Sequence, residues 1–305
     1  MDITVVINQV LMLFFPIIIG YIILKKGVVD KVFVKNLSAF IYNITLPGSI
    51  ITALQTDFNK DILVKSAILV VISAFTMVFL FFCGKGVAKL LKTEGNMKNT
   101  VIYSLMFSNF SFMGYPVAQA FMGEKGLVLA TMFSLPIYVF VQSWGVALMD
   151  SDGEHKFKKS YVLNPPLIAA TVGLVLFLTG FRFPTAISGT IKSLGSMTTP
   201  LAMVLSGLII ASEPLKKAFV NWKIYVIAAL RLAILPLAIF YITKTLGLHI
   251  DICRVSAIIT MMPVAANVVI TAAAYGKDSS EPARAVMLTT LLSVITIPLV
   301  GLLLF

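Results

Sequence analysis

Residues 108–119 read SNFSFMGYPVAQ, inside a stretch, 101–122, that is otherwise apolar enough to lie in a membrane. Ser108, Asn109 and Ser111 come first, then Gly114, Tyr115 and Pro116, then Gln119. Hydrocarbon solvates none of these polar groups, and Gly and Pro both weaken a helix. Such a stretch makes sense where a helix is interrupted and its freed groups have something to bind.

Composition fixes the medium. The chain has 305 residues, 59% of them hydrophobic and 12% charged, with a mean hydropathy of +0.98. Soluble domains run at about 45–50% apolar and about 25% charged, so this is an integral membrane protein. The net charge of +11 does not point to nucleic acid, because the Lys and Arg residues fall between apolar runs, where they set topology. Cys83 and Cys253 form no disulfide framework, and His155 and His249 sit in loops away from any cluster of ligands. No metal and no cofactor is expected. The N-terminus, MDITVVINQV, lacks the positive n-region of a cleaved signal, so its apolar run is expected to stay as a span.

A helix crosses about 30 Å of hydrocarbon with about 20 apolar residues. Ten such spans are expected, at 5–24, 36–56, 62–82, 99–121, 127–149, 161–180, 187–211, 221–246, 254–275 and 282–305. Leaving Arg231 aside, Lys and Arg divide sixteen to seven between the two sides of the membrane. The richer side is cytoplasmic by the positive-inside rule, which puts both termini outside. The hydrophilic stretch DSDGEHKFKKSY, at 150–161, is then a short cytoplasmic loop.

Five spans precede that loop and five follow it. An odd number makes the second half enter the membrane with opposite orientation, the arithmetic of an inverted repeat. The expected organisation is a first five-helix repeat over 1–149, a loop over 150–160 and a second, inverted repeat over 161–305. Traces of the repeat survive: NITLPGSI in span 2 against SMTTPLAM in span 7, and MGYPVAQAFMGEKG in span 4 against MMPVAANVVITAAAYGKD in span 9.

Prolines 16, 47, 116, 136, 200, 236, 263 and 298 all lie within apolar spans. Most read as packing kinks. Pro116 and Pro263 differ, because polar or small residues accompany them: Asn109 and Gly114 in span 4; Ala265, Ala266 and Asn267 in span 9. Interrupted backbone in a bilayer is tolerated only when it is buried in protein or lines a cavity. Two interrupted helices at corresponding places in two halves point to a carrier's substrate site. If they cross, two half-helix N-termini meet near midplane and favour an anion such as a carboxylate. The plain alternative is an ordinary kink, with Asn109 and Asn267 as interhelical glue.

Arg231 is the other candidate. It lies nine residues beyond Trp222, roughly 13 Å deep at 1.5 Å per residue. No acid lies inside a span to pair with it, so it either meets substrate or bonds carbonyls at a broken helix. Asn164 before Pro165 and Pro166 reads as a helix start. Asn43 and Thr45, before Pro47, are polar enough to face a cavity or a neighbour, in a supporting or gating role.

The motifs NITLPGSI, SNFSFMGYP, LNPP, MTTPLAMVLSGLIIASEPLK, ALRLAILPLAI and MMPVAANVVITAAAYGKD occur in this order along nearly the whole chain. Together they resemble the auxin efflux carrier family: plant carriers and bacterial members of malate or malonate permease type. The resemblance implies a homodimer with a scaffold from spans 1, 2, 6 and 7. It implies a transport domain from spans 3–5 and 8–10, with spans 4 and 9 crossing at their proline-containing breaks, and substrate carried elevator-fashion. Asn109, Pro116, Asn164 and Pro263 match family positions, whereas Asn267 matches only the bacterial members. The long cytoplasmic loop of many plant carriers is missing, which argues against auxin as substrate.

The expected function is thus secondary transport of a small organic anion, a mono- or dicarboxylate, across a bacterial inner membrane. Substrate would bind among Asn109, Gly114, Pro116, Gln119, Asn164, Arg231, Pro263 and Asn267. The nearest alternative is a sodium-coupled symporter of the bile-acid type, with freed carbonyls holding the ion. A membrane sensor that binds without transporting is another. An enzyme would need a nucleophile with a base, or paired carboxylates, and no span carries either.

Overall fold

The computed structural model describes residues 15–55, 59–149, 164–212, 219 and 221–305. The part of span 1 before Phe15, the loop at 150–160, His155 and the EPLK end of the span-7 motif lie outside them.

The described residues are all-helical. The helices are α1 (Phe15–Lys25), α2 (Lys31–Leu54), α3 (Lys60–Leu90), α4 (Gly95–Met106), α5 (Phe110–Phe140), α6 (Pro165–Thr179), α7 (Thr185–Ala211), α8 (Trp222–Thr245), α9 (Ile250–Thr260), α10 (Asn267–Ala274) and α11 (Ser280–Leu304). Six of them (α2, α3, α5, α7, α8 and α11) are long and apolar enough to cross a membrane, α5 only when its two limbs are counted together. Large apolar side chains such as Phe75, Phe82, Leu299 and Leu303 face outward. An exposed apolar surface of that extent fits lipid contact, and the molecule is a multi-pass membrane protein.

Local chemistry sets the helix starts. Asp30, Asn59, Asn164 and Asn221 each accept a backbone N–H of the following turn, at 2.8, 2.9, 3.0 and 3.1 Å. Gly180, at φ 69°, closes α6 in the left-handed conformation that glycine adopts without strain.

Helix α5 is not one rod. Gly123 has φ 66° and ψ −160°, backbone open essentially to glycine alone. The hydroxyls of Tyr115 and Tyr138, 23 residues apart, lie 3.5 Å from one another. A straight helix would hold them about 35 Å apart. The chain therefore doubles back, and α5 is two antiparallel limbs joined at Gly123.

Prolines leave a second mark. π-Helical turns at Ile41–Thr45, Phe110–Gly114 and Leu230–Ile234 each end two residues before a proline: Pro47, Pro116 and Pro236. Proline donates no N–H and its ring pushes on the carbonyl four residues back. Widening the helix by one residue accommodates both. The kinks expected at these prolines are thus π turns, and they carry Asn43, Ser111 and Arg231.

Packing falls into two groups. Helix α2 packs on α6 and α7; α3 packs on α4, α5 and α9; α8 packs on α9 and α11. Glycines let the first group close up. A Cβ on Gly195 of α7 would meet Ser49 N of α2 at 2.7 Å, and one on Gly207 would meet Ile17 O of α1 at 1.9 Å.

Candidate functional site: a crossover of two broken helices

Span 4 breaks between Met106 and Phe110, and span 9 between Thr260 and Asn267. At these gaps the two chains run antiparallel past each other. Ser108 and Val264 form a single β-bridge. Asn109 N–H donates to Pro263 O at 2.7 Å, and Ala265 N–H to Phe107 O at 3.1 Å. Val264 N–H is taken by Thr289 Oγ1 of α11 at 3.0 Å. Asn109 O accepts from Met113 and Gly114 at 3.2 and 3.0 Å. Backbone groups that lipid would leave unpaired are thus matched to each other.

The prolines and glycine of the two motifs play different parts. Pro263 lies in its gap and supplies a carbonyl to the other chain. Pro116 lies past the break, within the first turns of α5; the break itself is upstream, at 107–109. Gly114 has ordinary helical backbone, φ −64°. A Cβ there would meet Ile259 Cδ1 at 2.9 Å, so its role is close approach to α9.

Arg231 reaches this junction from α8. It is 1% exposed, and its guanidinium donates from Nε to Met262 O at 3.1 Å and from Nη1 to Leu105 O at 2.8 Å. One carbonyl comes from each broken helix. Of the two roles left open for this residue, carbonyl bonding is the one its contacts display.

On another side of the junction lies a cavity of about 370 Å³. Its walls include Ser108, Asn109 and Ser111 from the first break, Ala265, Ala266 and Asn267 from the second, and Lys35, Ser38, Tyr42 and Asn43 from α2. The N-terminal ends of α5 and α10 both abut it. Those ends carry partial positive charge and unshared N–H groups. Three amides, three hydroxyls of serine and one ammonium add donors. This is a setting for an anion. A second cavity of about 370 Å³ shares Ser38, Phe112, Ala266 and Asn267 with the first and continues between α7 and α11 past Leu205, Ile209 and Met287 toward Arg284.

The remaining candidates sit elsewhere. Gln119 donates to Glu124 Oε1 at 2.8 Å, away from the cavity wall. Asn164 caps α6, accepting from Leu167 N–H. Asn43 lines the cavity while its Nδ2 donates to Ala39 O at 2.7 Å. Thr45 is buried in the π turn with its Oγ1 unbonded, and Pro47 follows it. Three polar cavity residues on α2 were not anticipated: Lys35, Ser38 and Tyr42. Their spacing of three and four places them on one helix face with Asn43, and that stripe was the available signal. Lys35 instead reads from sequence as a topology charge.

A separate ion cluster joins α3, α5 and α9 at one end of the molecule. Asp251 Oδ2 accepts from Lys125 at 2.6 Å and Lys65 at 3.0 Å, and Lys65 also binds Asp61 at 2.7 Å. Burial pushes the Asp251 carboxyl up, but the two lysines outweigh it and hold it below the usual carboxylate range.

Comparison with known proteins places the chain among membrane transporters. The chain matches the family described as "Membrane transport protein" over residues 5–159 and 154–300. It is 28% identical over 294 residues to an uncharacterized transporter of Methanothermobacter thermautotrophicus, covering 93% of both chains. It is 25% identical over 304 residues to an uncharacterized transporter of Methanocaldococcus jannaschii, covering 96% of this chain and 97% of the relative. A putative malonate transporter of Rhizobium meliloti is 24% identical over 221 residues, 66% of this chain and 67% of the relative. With the family matched across almost the full length, the chain belongs to the membrane transport proteins of the auxin efflux carrier family.

Proposed function

We propose that this protein is a secondary carrier of a small organic anion, a mono- or dicarboxylate, working by alternating access in a bacterial inner membrane. The observation that carries the reading is the crossover: two broken helices present their N-terminal ends, Asn109 and Asn267 to one polar cavity. A carboxylate there would take backbone N–H groups and side-chain amides, each stronger for being charge-assisted.

The reading includes ten crossing segments arranged as two inverted repeats of five, 1–149 and 161–305, with both termini outside. The two limbs of α5 supply the end of segment 4 and segment 5; α9 and α10 together make segment 9. Helices α1, α2, α6 and α7 would form the scaffold and the homodimer contact. Helices α3–α5 and α8–α11 would move together as the elevator. The grouping of contacts, α2 with α6 and α7 and α3 with α4, α5 and α9, supports that division. The malonate named for one relative makes a short dicarboxylate the first substrate to try.

The test is uptake of labelled malonate, malate and an aromatic monocarboxylate into proteoliposomes, under a proton gradient and then a sodium gradient. Saturable uptake of one acid is expected, lost in Asn109→Ala and in Pro263→Ala although both variants insert and fold. Normal uptake by both variants would remove the crossover from the mechanism. Absence of uptake of all three acids by folded protein would overturn the carboxylate reading.

A further inference from the structure

A crossover of this kind sorts charge. Each broken helix ends with a C-terminus that carries partial negative charge and resumes with an N-terminus that carries partial positive charge. The N-terminal ends of α5 and α10 abut the polar cavity. The C-terminal ends of α4 and α9 converge on a different point, and Arg231 is there.

Several carbonyls at the breaks already have partners. Phe107 O and Pro263 O are used between the two chains, Asn109 O by the start of α5, and Ala265 O and Ala266 O by the start of α10. Leu105 O, in the last turn of α4, and Met262 O, just past the end of α9, are bound by the guanidinium. Freed carbonyls and half-helix C-termini are what a crossover carrier uses to hold a coupling cation. Here a side chain holds two such carbonyls, one from each broken helix. A buried charge is costly in a membrane unless it is matched, and the two carbonyls take two of the guanidinium's five directed donors.

We infer that Arg231 is the resident cation of the crossover: it ties the C-terminal ends of both broken helices, so that the substrate cavity is shaped without a bound metal ion. In this role it is a positioning residue. It is absent from the cavity wall and acts through Leu105 and Met262 on the two breaks. The π turn at Leu230–Ile234, forced by Pro236, carries it.

The role in binding rests on the carrier reading above, so the experiment has two arms. The first follows thermal unfolding of the purified, detergent-solubilised full chain, in sodium chloride and in choline chloride. Wild type, Arg231→Lys and Arg231→Met are compared. Methionine keeps length and apolar bulk without charge; lysine keeps charge but cannot donate in a planar fork. The expected order of midpoints is wild type, then lysine, then methionine, with the wild-type midpoint unchanged by replacing sodium with choline. The second arm measures uptake of labelled malonate and phenylacetate. The KM of Arg231→Met is expected to rise about tenfold or more, the scale of losing hydrogen bonds from a charged group, with Arg231→Lys in between.

Methionine equal to or better than lysine in the unfolding arm would show that bulk, not charge, is needed, and would overturn the proposal. So would a wild-type midpoint or uptake that requires sodium. If wild type takes up neither acid, the carboxylate reading fails, and the order of midpoints still decides the role of Arg231.

Discussion

Two helix crossings in this molecule solve the same problem in opposite ways. Helix α7 crosses α2 and α1 by removing side chains: Gly195 lies against Ser49, and Gly207 against Ile17. Spans 4 and 9 cross by removing helix: each backbone opens, and the freed groups pair with one another and with Arg231. The first crossing is held by close van der Waals contact. The second leaves two helix N-termini facing a cavity. Close packing suits a support, and an opened backbone offers polar groups to a ligand.

Several substitutions test that contrast. The largest effect is expected at the glycine crossing. Gly207→Leu places a side chain where even a Cβ would lie 1.9 Å from Ile17 O, and overpacking of this kind costs about 3 kcal/mol or more. The yield of monodisperse protein after size-exclusion chromatography should collapse; a normal yield would show that α1 and α7 are free to separate.

Asp251→Asn should have an intermediate effect, on stability rather than on substrate KM, because its lysines lie outside the crossover. The carboxyl is held below its ordinary range in the folded protein, so its contribution is present above the unfolded value of about 3.9 and is lost as pH falls through the lower folded value. Wild type should therefore lose unfolding midpoint at acid pH, while Asp251→Asn starts lower at neutral pH and loses less. A malonate KM that moved with Asp251→Asn would tie the ion cluster to the crossover after all.

The smallest effect is expected from Gln119→Ala. Its partner is Glu124, on an exposed turn, and surface changes of that sort shift stability by less than about 0.5 kcal/mol. Its uptake curve should overlay that of wild type.

The breaks were legible because polar residues and proline are conspicuous in hydrocarbon-compatible sequence. Their positions were less so. The motif drew attention to Gly114 and Pro116, yet the chain opens at 107–109, where Asn109 can reach Pro263 O. That partner comes from the other half, and no local pattern encodes it. Gln119 and Asn164 looked alike in polarity to Asn109, but short-range partners, Glu124 and Leu167 N–H, satisfy them. Lys35 hid among the topology lysines, and only the folded helix α2 brings it to the cavity with Ser38 and Tyr42. Arg231 was visible as a charge in the wrong medium; which carbonyls it binds depends on two breaks in other helices.

The clamp also sets a schedule for biogenesis. Arg231 follows Leu105 by 126 residues. At about 5–20 residues per second, a ribosome needs roughly 6–25 s to make that interval. Throughout it, the first break exists without its cation and without the strand that pairs with it. A nascent chain holding an open helix cannot rest comfortably in lipid, so span 4 has reason to linger at the insertion machinery until the second half arrives.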